Sequence, residues 1–156
     1  MTPLHVAARA RKQLSFGTMK SKPLLTLEDT RAAAAAAEAE ALKQGWAVTI
    51  AITDDGGHLL WLQRLDGAAP ISADIATAKA RTAALGRRET KVYEDMINQG
   101  RTAFLSAPVL QGMLEGGVPI MVEGQCIGAI GVSGVKSAED AQVARAGVAA
   151  VVAAGA

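Results

Sequence analysis

The sequence predicts an α+β domain in which helices cover an antiparallel sheet. Three observations carry this reading. Two stretches of alternating strand-forming residues flank tight turns, at Asp54-Asp55-Gly56-Gly57 and at Glu123-Gly124. Alanine-rich helical segments stand before, between and after these hairpins, where a doubly wound parallel sheet would alternate single strands with helices. The chain has 156 residues and is 50% hydrophobic, enough for one core and too short for two domains of ordinary size.

The elements follow in order. Thr26 caps a first helix, and Asp29 lies near its positive end. Ala32 to Ala37 and Glu38 to Lys43 have high helix propensity, and Gly45 suits the left-handed cap beyond Gln44. Ala47 to Thr53 and His58 to Arg64 form the first hairpin. Ser72 to Leu85 reads as a second helix with a stripe of Ile75, Ala78, Thr82 and Leu85, which places Lys79 and Arg81 on other faces. A shorter helix is expected over Glu89 to Gln99, and irregular chain over Gly100 to Gly117 with a turn around Leu110-Gln111-Gly112. Val118 to Val122 and Gln125 to Val132 make the second hairpin, and Pro119 favours an edge strand or strand start. Ser137 and Asp140, spaced as a capping box with Asp in place of Glu, open a last helix to about Ala153.

Residues 1–23 carry Arg9, Arg11, Lys12, Lys20 and Lys22 and no acid, and lack the continuous apolar segment of a secretory signal. They are expected to form a disordered extension before a single domain over residues 24–156.

Composition excludes several functions. With 16 basic and 15 acidic side chains and 3% aromatic residues, neither polyanion binding nor base stacking is expected, so no nucleic-acid partner follows. No apolar run reaches membrane-spanning length. The single Cys126 forms no intramolecular disulfide and no Cys-based zinc site, which suits a reducing, cytoplasmic setting. Two unpaired histidines build no His-rich metal centre, so no metal is expected. There is no P-loop, and the glycines of Gly128 to Gly134 lie inside a hairpin, where they permit close packing. Ser133 lacks a nucleophile-elbow sequence.

Several ordered blocks resemble the GlcG/HbpS family: Leu24 to Asp29, Asp54 to Leu59, Arg64 to Ala68, Asp74 to Ala83, Glu115 to Ile120, Gly128 to Gly134 and Asp140 to Gly147. The resemblance runs from about Leu24 to the end. It implies a profilin-like three-layer α/β/α domain with a central antiparallel sheet, assembled as a homo-oligomer (dimer, tetramer or octamer). Members include a secreted haem-binding redox sensor, the haem-binding C-terminal domain of PduO-type proteins, and proteins encoded beside glycolate or aromatic-compound catabolism.

Two sets of residues bear on function. Haem needs an axial ligand and an apolar slot, and His58, at a strand start after Gly-Gly, is the first candidate. Against this stands the plainer role of holding the hairpin by a hydrogen bond to the backbone, which the residue pattern favours over haem ligation. His5 lies in the extension, Cys126 reads as a small buried hydrophobe, and Met113 and Tyr93 have no supporting pattern. The second set is Lys79, Arg81, Arg64, Asp66, Glu115, Gly116, Gly117 and Ser133. The Glu115-Gly116-Gly117 loop would offer backbone N–H groups to a carboxylate. Lys79 and Glu115, if they converge in a dry cleft, would exchange protons with a small anionic catabolic intermediate, as in isomerisation, deamination or hydrolysis without an organic cofactor. Arg64 and Arg81 would orient it. Against this stand a solvated helix face for Lys79 and Arg81 and a capping role for Glu115. A haem-binding accessory protein without turnover and a structural subunit of a catabolic complex are the alternatives.

Overall fold

The computed structural model describes residues 17–154. Its order is α1 (Leu27–Gln44), β1 (Thr49–Asp54), β2 (Leu59–Arg64), α2 (Ile71–Gly86), α3 (Thr90–Asn98), a 3-10 turn (Thr102–Ser106), β3 (Gly117–Val122), β4 (Gln125–Ser133) and α4 (Ser137–Ala154). Most of the expected extension, with His5, lies outside the described residues. Within them, Lys22 pairs with Asp55.

Local chemistry sets the ends of α1. The Thr26 hydroxyl accepts the Asp29 N–H at 3.1 Å and the Asp29 carboxylate accepts the Thr26 N–H at 2.9 Å, a complete capping box. The Thr26 N–H and the Thr26 hydroxyl, both donating to it, hold the Asp29 carboxyl below its ordinary value. Gly45 closes the helix at φ 71.

The strands form one antiparallel sheet in the order β2-β1-β4-β3. Its two faces differ in side-chain size. Ile50, Ile52, Ile130 and Val132 pack against Ala33 and Ala37 of α1 and Val143 and Ala144 of α4. The alternate residues, Ala51 and Ala129, meet Ala76, Ala80, Ala83 and Ala84 of α2. The result is helix, sheet, helix in three layers. A Cβ on Gly131 would stand 2.1 Å from the Ala76 carbonyl oxygen, so α2 lies directly on the backbone of β4. The glycines of this hairpin serve close packing, as the sequence suggested. Pro119 falls in the edge strand β3, and the β3–β4 turn has Glu123 and Gly124 both at positive φ. Among the described residues no helix is long and apolar enough to cross a membrane.

Two expectations need correcting. The buried face of α2 is Ser72, Ala76, Lys79, Ala80 and Ala83 with Thr82 and Ala84, whereas Ile75, Ala78 and Leu85 are only half-buried. A sheet face of alanine and glycine admits small side chains beneath the helix, which leaves the bulky Ile75 and Leu85 on the flanks. Lys79 is buried through its polar partners at the end of the sheet. Asp140 also does not cap α4 with Ser137. Ser137 is already helical, and Glu139 accepts the Lys136 N–H at 3.1 Å, while Asp140 turns into the core.

Replacing Gly131 with Val forces α2 away from the sheet. Overpacking of this kind costs about 1–3 kcal/mol, and urea unfolding should show a midpoint lowered accordingly at unchanged m.

Candidate functional site

Lys79 points inward from α2 and is 3% exposed. Its ammonium donates to the Val132 carbonyl at 2.9 Å and to Asp140 Oδ2 at 3.0 Å. Gly116 makes room for it: a Cβ there would stand 2.7 Å from Nζ. Asp140 also accepts the Val135 N–H at 3.2 Å. Burial pushes the Asp140 carboxyl above its ordinary value, against the opposing pull of Lys79.

The expected Lys79–Glu115 pair is not assembled. Glu115 is half-buried, its backbone N–H donates to Glu94 Oε2 at 2.5 Å, and its charge contributes, behind that of Asp95, to holding Lys91 above its ordinary value. The Gly116-Gly117 loop is not an open cradle either. Both glycines are buried, and the Gly117 N–H is spent on the Thr90 hydroxyl at 2.8 Å. Ser133 is buried at the end of β4. Arg64 is exposed at the end of β2, and Asp66 lines a separate groove with Glu38, Leu42, Trp46 and Leu65. The residues that share sequence motifs therefore fall in several places.

Arg81 lies on the half-exposed side of α2. Its stem packs against the Asp54–Gly57 turn, where a Cβ on Gly57 would stand 2.9 Å from Arg81 Cγ, and Nη1 is 3.5 Å from the Gly57 carbonyl. From there a cleft of about 480 Å³ runs along α2, lined by Leu62, Ala73, Asp74, Thr77, Ala78, Arg81, Val109 and Gln111. Leu62 comes from β2, and Val109 and Gln111 come from the segment read as irregular. That segment is pinned just beyond the cleft by the Gly112 N–H donated to the Thr82 hydroxyl at 3.1 Å. A Cβ on Gly112 would overlap the Ala78 backbone at 2.2 Å, so only glycine lets the loop approach so closely. Sequence reasoning found Arg81 but not the rest of this lining. The available signal was Asp74, Thr77 or Ala78, and Arg81 at helical spacing on one face.

His58 closes the first hairpin. Its N–H donates to Asp54 Oδ1 at 2.9 Å, and its ring, 77% exposed, has Nδ1 3.5 Å from the same oxygen. Cys126 is 6% exposed with Sγ 3.3 Å from the Gly128 carbonyl, and burial pushes its thiol up. Among the described residues no cluster of three or more His, Cys, Asp or Glu is arranged to hold a metal.

The family described as haem-degrading protein HbpS-like matches residues 25–149. The chain belongs to this HbpS-like family. It is 60% identical over 115 residues to the protein GlcG of Escherichia coli strain K12, covering 74% of this chain and 85% of that one. The crystal structure of a double mutant of Streptomyces reticuli HbpS matches at TM-score 0.76 and 35% identity, over 96% of this chain and 97% of that chain. The crystal structure of a PduOC–haem complex matches at TM-score 0.75 and 27% identity, over 82% and 95%. The HbpS-like fold is thus shared along nearly the whole described chain.

If Lys79 is structural, Lys79→Met leaves Asp140 buried without its partner and should cost about 3–5 kcal/mol in thermal or urea unfolding. The double variant Lys79→Met, Asp140→Leu should recover most of that loss. A single variant as stable as the parent would contradict the buried pair.

Proposed function

We propose that this HbpS-like chain binds a small anionic metabolite in the cleft along the outer side of α2, with Arg81 as the anchor of the anion. One observation carries the reading. Several basic side chains of the described residues meet no carboxylate, and of these Arg81 is the one that lines the cleft of about 480 Å³. A guanidinium held by packing against a turn, with its charge unanswered, suits bidentate capture of a carboxylate. Leu62, Ala73, Ala78 and Val109 give the ligand's body apolar walls. Proton transfer by Lys79 and Glu115 forms no part of this reading, because the first is committed to Asp140 and the second lies elsewhere.

Hexanoate is a suitable probe carboxylate. Its titration into the isotopically labelled protein should move the amide signals of Leu62, Thr77, Val109 and Gln111, and Arg81→Gln should weaken binding by about tenfold, the scale of one charge-assisted contact. Shifts elsewhere, or an unchanged affinity in Arg81→Gln, would overturn the assignment.

Haem is the second reading, favoured by the haem complex of the PduOC relative. The cleft fits it poorly within one chain, since its lining holds no His, Cys, Met or Tyr for an axial bond. His58 is outside that lining, on an exposed turn beside Asp54. Hemin titrations of the parent and of His58→Ala should therefore give the same Soret spectra. A haem-bound Soret band that disappears in His58→Ala would establish the haem reading through that ligand.

A further inference from the structure

The floor of the cleft is one side of α2, and its chemistry changes along the helix. Asp74 and Arg81 are seven residues apart, two turns, so they lie on the same side with about 10 Å of helix axis between them. Neither belongs to an ion pair among the described residues. Between them the floor is apolar. Ala78 offers a methyl, and the hydroxyl of Thr77 is already donated to the Ala73 carbonyl at 2.8 Å. Leu62 and Val109 flank the same stretch.

From this order of anion, apolar floor and cation, we infer that the cleft takes a dipolar ligand: a carboxylate for Arg81 and, several ångströms away across an apolar spacer, an ammonium for Asp74. The inference rests on the cleft proposed above as the ligand site and adds the class of ligand. It distinguishes ligands of the same composition. In an α-amino acid the two charges sit on adjacent carbons, so an ammonium beside Arg81 is repelled and cannot reach Asp74. An ω-amino acid places its charges at opposite ends and can satisfy both. Asp74 also stands in the first turn of α2, where an acid is favourable to the helix dipole whether or not a ligand binds. A purely helix-stabilising Asp74 would leave the choice between ligands unchanged, so selectivity separates the two roles.

6-Aminohexanoate and norleucine are isomers that differ in charge separation, and hexanoate lacks the ammonium. Calorimetric titration of the full chain with all three should rank 6-aminohexanoate above hexanoate by about threefold, the scale of one exposed charge pair, and norleucine below hexanoate. The 6-aminohexanoate preference should shrink as salt is raised. In Asp74→Asn the ratio of 6-aminohexanoate to hexanoate affinity should fall to about one. Equal affinities for 6-aminohexanoate and hexanoate in the parent, or a preference that survives in Asp74→Asn, would overturn the dipolar inference while Arg81-dependent hexanoate binding keeps the site. Loss of hexanoate binding at the cleft altogether would overturn the site as well.

Discussion

The buried ion pair between Lys79 and Asp140 is the contact on which the layers depend. Lys79 belongs to α2, on the alanine–glycine face of the sheet. Asp140 belongs to α4, on the isoleucine–valine face, and Val132, which accepts the second Lys79 hydrogen bond, is the penultimate residue of β4 between them. One side chain therefore ties both helical layers and the strand between them at the end of the sheet. A lone buried charge would cost several kcal/mol, so the pair acts mainly as a condition on sequence: if one member is present, the other must be. Gly116 meets the same condition sterically, because any side chain there would collide with the ammonium.

The placement of α2 follows from the same economy of space. With glycine and alanine below it, the helix sits against the sheet backbone, and its large side chains are left for the flanks and the outer surface. That outer surface, together with β2 and the loop through Val109 and Gln111, makes the cleft. The close fit of the inner face and the open outer face thus have one origin, the small side chains of Ala51, Ala129 and Gly131.

Much of the fold was legible in the sequence because its signals are local. The Thr26–Asp29 capping box, the Gly45 cap, the Glu123-Gly124 turn and the edge position of Pro119 each depend on a few neighbouring residues, and each stands where the pattern placed it. The inner face of α2 was misread because hydrophobicity is a poor guide to burial against an alanine–glycine surface. Asp140 was misread as a cap because its spacing from Ser137 fits one. The charge that draws it inward belongs to a residue 61 positions away. The loop at Val109 and Gln111 carried no periodic signal, and its approach to α2 depends on Gly112 meeting the backbone of Ala78, which no local pattern announces.

The family motif Ala78 to Ala83 sets Lys79 and Arg81 side by side in the sequence but not on the helix. Residues two apart on a helix are separated by about 200° and face nearly opposite sides. Lys79 and Arg81, neighbours in the motif and grouped together on the sequence, therefore work apart: one is sealed at the end of the sheet with Asp140, the other stands in the cleft. The cleft side of α2 thus presents Arg81, while Lys79 lies behind the helix. For the ligand proposed there, the residues at hand would offer recognition by charge and shape along α2, while Lys79 is occupied with Asp140 in holding the layers together.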